Sequence, residues 1–258
     1  MKRIILFRFH ERAEVCRNRL DLLKRHNPDT AIYGLYGGGE CSYPKVEHSL
    51  GPEFAHLCRL RGRSGKWHWL NGDLAVREWH QIVGREVEFD VLHVVQWDLL
   101  LLDALEKIYS GIPTSGIGLT GLVPIRSIDG VWFWTRESWW VSHWKRLLVH
   151  SRQQYGYSAE PYASMGPGLC LPKAFLDAYA SCEVPELCHD EVRLPLFAQN
   201  LGFNLYDANF CRAWFDAREN IFFNCSDQEI DPEVIRNELQ DPQGRRAFHP
   251  YRRLYFAR

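Results

Sequence analysis

The chain has 258 residues, of which 46% are apolar and 24% charged, and its formal net charge is -1. That balance belongs to a globular protein and excludes a disordered one, and the length suits a single α/β domain. A net charge near zero supplies no overall basic field to draw in nucleic acid or an anionic membrane.

The opening MKRIILFRFHER offers only the apolar run Ile4–Phe7, too short for the core of a secretory signal. No stretch approaches the ~18 apolar residues of a membrane-spanning helix. Both absences point to a cytoplasmic chain with no transmembrane segment. The eight cysteines contain no C-x-x-C pair, and most lie in apolar or helical patterns, as reduced structural thiols do. Ten Trp residues require a large core or an aromatic-lined cleft.

Residues 3–9, RIILFRF, read as a strand buried on both faces. Ala13, Cys16, Leu20 and Leu23 then recur at helical spacing, and Asn27-Pro28 ends that helix. Residues 31–36, AIYGLY, form a second strand stopped by Gly37-Gly38-Gly39. Strand, helix and strand in that order imply a parallel pair with a right-handed crossover. Residues 40–66 are polar with little periodicity and read as a long surface excursion. Asn71-Gly72-Asp73 has the composition of a helix start, and Leu74, Trp79, Ile82 and Val83 mark the helix. Residues 89–96, FDVLHVVQ, are the clearest strand, and they run into Trp97-Asp98. A short helix is predicted over 103–109.

The second half is less regular. Residues 116–125 are rich in Gly and Leu. Residues 131–148 hold Trp132, Trp134, Trp139, Trp140 and Trp144, which either line a cleft or fill the core. Met165-Gly166-Pro167-Gly168 predicts a turn into Leu169–Leu171, and 173–179 a helix. Residues 189–201 predict one helix, or two short ones broken near Pro195, with Gly202 as C-cap. Residues 203–206 predict a short strand. The last fourteen residues hold five Arg and His249. The fold class that emerges is α/β, a mostly parallel central sheet flanked by helices.

Ligands of open parallel sheets bind beyond the carboxyl ends of the strands, where Asp98 projects. A carboxylate there needs a cation or a donor. A divalent metal holding a diphosphate is one answer, and a helix cap or buried salt bridge is another. Asp190 or Glu191 could deprotonate a hydroxyl, or both could simply open a helix whose dipole favours acids. His249 with Arg245, Arg246, Arg252 and Arg253 could close over phosphates or form a solvated tail. Arg8, His10 and Arg12 lie just past the first strand, where open sheets carry ligands. Cys182, Cys188 and His189 match no zinc spacing. The glycines at 37–39 match no phosphate-binding motif.

The first strand, the helix ending in Asn-Pro, the second strand and Phe89-Asp90-x-Leu92-His93-x-x-Gln96-Trp97-Asp98 resemble the nucleotide-binding half of GT-A glycosyltransferases. That family places a short acidic motif, usually Asp-x-Asp, at the end of such a strand, where it holds Mn or Mg against the diphosphate. Here the triplet is Gln96-Trp97-Asp98, with only its last acid. Gly166-x-Gly168-x-Cys170-Leu171 is similar to the family's acceptor-side glycine turn. His189-Asp190-Glu191, followed by Leu201-Gly202-Phe203, resembles the helix carrying the catalytic carboxylate. Phe248-His249-Pro250 resembles a closing segment whose His completes the metal or diphosphate site.

The resemblance implies a GT-A-like three-layer sandwich over 1–258, with 1–100 as nucleotide-binding half and 101–258 as acceptor-side half. It implies a transferase moving sugar from a nucleoside-diphosphate sugar to a hydroxyl acceptor. Mn or Mg would sit on Asp98 and His249. Arg8, His10, Arg12, Gln96 and Trp97 would meet the nucleotide, and Asp190 or Glu191 would act as base. Gln96 in place of an acid keeps open a catalytically silent nucleotide- or sugar-binding relative. Asp98, Asp190 and His249 would also suit a metal-dependent hydrolase.

Overall fold

A computed structural model describes residues 1–10 and 12–256. The chain opens on β1 (Arg3–Phe9), α1 (Ala13–His26) and β2 (Ala31–Tyr36), as the apolar runs and helical spacing predict. The next stretch departs from expectation. Residues 40–66 hold α2 (Tyr43–Leu50), β3 (His56–Arg59) and the start of α3 (Gly65–Leu70). β3 is a half-exposed edge strand beside β2, so its HLCR sequence lacks the apolar run of a strand buried on both faces. α4 (Gly72–Ile82), β4 (Val91–Gln96), β5 (Leu100–Leu101) and α5 (Leu105–Ile108) follow. Then come β6 (Ile117–Pro124), α6 (Phe133–Arg136), α7 (Ser138–Tyr155), β7 (Tyr162–Pro172), α8 (Lys173–Ser181) and α9 (Asp190–Asn200). β8 (Leu205–Asp207), α10 (Ala217–Asn220), α11 (Pro232–Gln240) and β9 (Ala247–Phe248) complete the order.

β1 lies between β2 and β4 and runs parallel to both, as expected. The seven-stranded sheet has the order β3-β2-β1-β4-β7-β6-β8, and only β7 runs against its neighbours. Helices cover both faces. Ile4 and Leu6 of β1 enter one core with Trp79, Phe175 and Phe197 of α4, α8 and α9. Ile5, Phe7 and Phe9 enter the other with Val15, Cys16 and Leu20 of α1. Successive side chains alternate between faces, which is why a strand covered on both sides reads as an unbroken apolar run. A smaller core joins Leu22 of α1 to Leu100, Phe248 and Tyr251. The C-terminal segment is therefore packed against the body, with β9 paired to β5. Among the described residues no helix is long and apolar enough to cross a membrane.

Two local expectations are corrected. Residues 165–168 form no turn but lie inside β7. Gly168 has φ +82°, and the pairing with β6 shifts register beside it, so the glycine makes a bulge. Thr120 Oγ1 donates to the Pro167 carbonyl at 2.7 Å and steadies that bulge. Residues 189–201 take the first of their two predicted forms, one helix, since α9 runs straight through Pro195, and the correction concerns its cap. Burial along α9, from Asp190 to Ala198, offsets the one backbone bond that a proline removes. Leu201 is the C-cap, and Gly202 (φ +80°) takes the left-handed position after it.

β4 also buries a titratable group. His93 is fully buried with Nε2 3.0 Å from Arg3 Nη1. Burial, with Arg3 adding to it, pulls its pKa down to about 3. His68 on α3 is likewise pulled to about 3 by burial and then by Arg8. Both rings stay neutral in the folded chain where unfolded histidines, near 6.5, take up protons. The unfolded state then binds more protons, so stability falls as pH drops from 6.5 towards 3. The slope is about 1.4 kcal/mol per pH unit for each group. Urea unfolding across this range is expected to show the loss, and His93→Gln to remove one group's share of the slope. An unchanged slope in the variant would assign acid sensitivity to other groups.

Candidate functional site

The carboxyl ends of β1, β2 and β4 open into a cleft of about 720 Å³, the place where open parallel sheets carry ligands. The nine site residues that the resemblance implies all line it. Arg8, His10 and Arg12 come from the end of β1, Gln96, Trp97 and Asp98 from the end of β4, Asp190 and Glu191 from the start of α9, and His249 from the C-terminal segment. Lys66, His68 and Trp69 of α3, and His189, join them without having been given a site role.

The first turn of α9 carries the acids. Asp190 is 8% exposed and Glu191 9%. The helix dipole favours acids there, but burial this deep needs partners as well. Glu191 has two, since Trp134 Nε1 donates to its Oε2 at 2.9 Å and the Gly166 N–H to its Oε1 at 3.0 Å. The His189 ring stacks on Trp134, centroids 4.2 Å apart. Its Nδ1 lies 2.8 Å from Asp190 Oδ1 and 3.3 Å from the Glu191 N–H. Neutral there, it caps the helix by accepting from Glu191, and protonated it faces Asp190. A β-carbon at Gly72 would overlap both Asp190 Oδ2 and Arg8 Nη1. The glycine at the start of α4 thus leaves room for that acid and guanidinium.

The two acids have opposite tendencies. Burial drives the Glu191 pKa up, and its donors do not reverse that. Burial opposes ionisation of Asp190 too, but His189 and then Arg8 outweigh it and hold its pKa down. Neighbouring carboxyls driven apart in this way divide proton transfer from fixed charge. Burial lowers the His189 pKa, yet Asp190 and Glu191 together leave it raised.

At the end of β4, Asp98 Oδ1 lies 3.5 Å from His249 Nε2, and its Oδ2 3.5 Å from Arg252 Nε. Burial would raise the Asp98 pKa, but His249 and Arg252 outweigh it and bring it down to about 2. His249 Nδ1 donates to the Asn224 carbonyl at 2.6 Å. In the neutral ring this bond leaves the Nε2 lone pair turned toward a carboxylate, an arrangement that asks for a shared cation or a second ring proton. Among the described residues no three His, Cys, Asp or Glu side chains gather as a metal cluster. Two protein donors would therefore need ligand oxygens beside them.

Trp97 walls the end near β1, with His10 edge-on at 5.4 Å and the Arg12 guanidinium 5.7 Å from its ring. Arg12 also donates to the Arg252 carbonyl at 3.0 Å, which ties the start of α1 to the C-terminal segment. Among the described residues, His68 Nε2 and His189 Nε2 are buried without hydrogen-bond partners, and Asp190 Oδ1 has only His189 Nδ1 beside it. Buried polar groups are normally paired, so orphans gathered at one cleft mark a place for a polar ligand.

The basic tail does not act as one group. Of its described arginines, only Arg252 joins His249 in lining the cleft. Arg245 pairs with Glu219 at 2.6 Å, Arg246 donates to the Glu238 and Asp241 carbonyls ending α11, and Arg253 pairs with Glu229. Arg258 lies outside the described residues.

No family model and no curated protein matches the chain. Similar solved structures include the galactosyltransferase LgtC in complex with donor and acceptor sugar analogues, at TM-score 0.37 and 12% identity. That comparison covers 70% of this chain and 60% of LgtC. An active-site mutant of LgtC gives the same values. Mouse xyloside xylosyltransferase 1 in its apo form has TM-score 0.41 and 11% identity, covering 80% of this chain and 84% of that one. The chain thus spans about 60% of the length of LgtC.

Proposed function

We propose that this chain transfers a sugar from a nucleoside-diphosphate sugar to a hydroxyl acceptor, as a divergent GT-A-like enzyme. The observation that carries the reading is one cleft at the strand ends, lined both by the buried acids of α9 and by Asp98, His249 and Arg252. Residues 1–100 hold the donor. Its base lies against Trp97, His10 and Gln96, its diphosphate against Arg12 and Arg252, and Arg8 meets the sugar end beside Asp190. The acceptor enters from the 101–258 half, next to Glu191.

The reaction forms a bond from the acceptor oxygen to the anomeric carbon and breaks that carbon's bond to the diphosphate. Glu191 takes the acceptor proton. Arg12 and Arg252 balance charge on the departing diphosphate. Asp98 and His249 Nε2 would hold a divalent ion, Mn or Mg, and a bound ion would supply charge neutralisation at the leaving group. Gln96 favours a second reading, a silent relative that binds nucleotide without metal.

Thermal melting with UDP or GDP, with and without Mn, tests this. Ligand at ~100 times its dissociation constant stabilises the native state by about 2.7 kcal/mol. Nucleotide and Mn are expected to stabilise together far more than either does alone, because their binding is linked. Asp98→Asn should remove that synergy and keep the fold. Full stabilisation by nucleotide alone, unchanged in the variant, would favour the metal-free relative. Stabilisation by Mn alone would favour a metal-dependent hydrolase. No response to any nucleotide would end the glycosyltransferase reading.

A further inference from the structure

The net charge of -1 conceals an uneven surface. α7 carries Lys145, Arg146 and Arg152 along its 18 residues and no carboxylate. Among the described residues none of these three is held in an ion pair, whereas nearby Arg126 and Arg136 are paired with Glu160 and Glu137. Large apolar side chains stand on the same outer side. Trp139 is 66% exposed, Val149 47% and Phe133 of α6 45%. Trp139, Ser142, Arg146 and Val149 recur at three- and four-residue spacing and share one face of the helix.

The inner side of α7 is already engaged. Leu147 is fully buried, and Trp140 packs edge-on against Trp134 at 4.7 Å. The fold therefore does not explain the outer face. Exposed Trp and aliphatic side chains beside unpaired cations, with no anions on the helix, suit a helix lying along an anionic lipid surface. The apolar groups enter the headgroup boundary while Lys and Arg meet lipid phosphates. A second copy of the chain suits the face less well, because a two-fold contact would bring the same three cations together.

We propose that the outer face of α6 and α7 docks the chain peripherally on a membrane rich in anionic lipid. The inner side of this segment supports the cleft, since Trp134 of α6 donates to Glu191. Docking would then set the acceptor side of the cleft beside the lipid. That consequence rests on the glycosyl-transfer reading, and the docking itself does not.

Co-sedimentation of the full chain with phosphatidylcholine vesicles, with and without phosphatidylglycerol, tests the proposal. The chain is expected to pellet with anionic vesicles, to stay free of neutral ones, and to be released as salt rises. Lys145→Glu with Arg146→Glu should weaken vesicle binding by about tenfold or more. Trp139→Ser with Val149→Ser should weaken it even at low salt. Both variants should melt as the parent does and respond equally to UDP or GDP, which separates lost docking from lost fold or lost nucleotide binding. A parent that pellets yet responds to no nucleotide supports docking and removes only the glycosyl-transfer reading. Docking is overturned if the parent ignores anionic vesicles, or if the charge-reversed variant binds as the parent does. It is also overturned if Trp139→Ser breaks a dimer of a parent that binds no vesicle.

Discussion

Glu191→Gln is expected to cut turnover by about 10²–10⁴-fold while nucleoside-diphosphate affinity stays close to that of the parent. The carboxyl is buried at the cleft, its pKa is pushed up by that burial, and Trp134 and the Gly166 N–H fix its orientation. In the proposed reaction the base would touch the acceptor, so its loss would fall on kcat and spare the diphosphate site. Asp190→Asn should behave differently. Asp190 offsets the buried charge of Arg8, and its removal should alter donor binding together with rate. Trp134→Phe supplies a third readout. Its indole N–H favours the ionised form of Glu191, so deleting it should raise the pKa and move the acid limb of the rate profile to higher pH. Steady-state release of nucleoside diphosphate measures all three. Full turnover in Glu191→Gln with loss in Asp190→Asn would hand the role to Asp190. Full turnover in both would leave the acids as no more than the opening of α9.

The central strands were legible because burial on both faces writes an unbroken apolar run, as in RIILFRF and VLHVVQ. β3 was not, since an edge strand needs only half of that signal. Asp98 stood out as a charge at the end of an apolar strand, and the cleft does contain it. Its engagement by Arg252, more than 150 positions away, follows from how the C-terminal segment packs on α1 and β5, which no local pattern records. The tryptophans make the same point. Trp134 and Trp139 lie five residues apart, yet the first is 7% exposed beneath its neighbours and the second 66%. Periodicity marks a helical face but does not say which face a neighbour covers. His189 had no signal beyond its place before two acids, and its stacking on Trp134 comes from tertiary packing alone.

Arg193→Met is expected to cost about 3–5 kcal/mol of unfolding free energy, the effect of leaving one partner of a buried pair unmatched. The Arg193 and Asp73 side chains are both 0% exposed. Arg193 Nε and Nη2 donate to Asp73 Oδ2 and Oδ1 at 2.8 and 2.5 Å, and Nη2 also donates to Asn71 Oδ1 at 2.9 Å. Nη1 donates to the Leu187 and Cys188 carbonyls at 2.8 and 2.9 Å. Every guanidinium donor is thus engaged. The two carbonyls flank Cys188, which holds φ +63°, an unfavourable angle for a residue with a β-carbon. Arg193 therefore clamps the turn that delivers His189, Asp190 and Glu191 to the cleft. Methionine fills much of the same space but leaves the Asp73 carboxylate with the Tyr179 hydroxyl, at 2.6 Å, as its remaining side-chain donor. Lysine keeps the charge without the fork, so Arg193→Lys should fall between parent and methionine. Adding Asp73→Asn to Arg193→Met removes the stranded charge, and the double variant should lose less than the sum of the single losses. Urea unfolding of the four chains reads the coupling directly. A loss under about 1 kcal/mol for Arg193→Met, or strict additivity in the double variant, would reduce the pair to ordinary packing. The deliverer of the acids would then have to be sought in the stack of His189 on Trp134 instead.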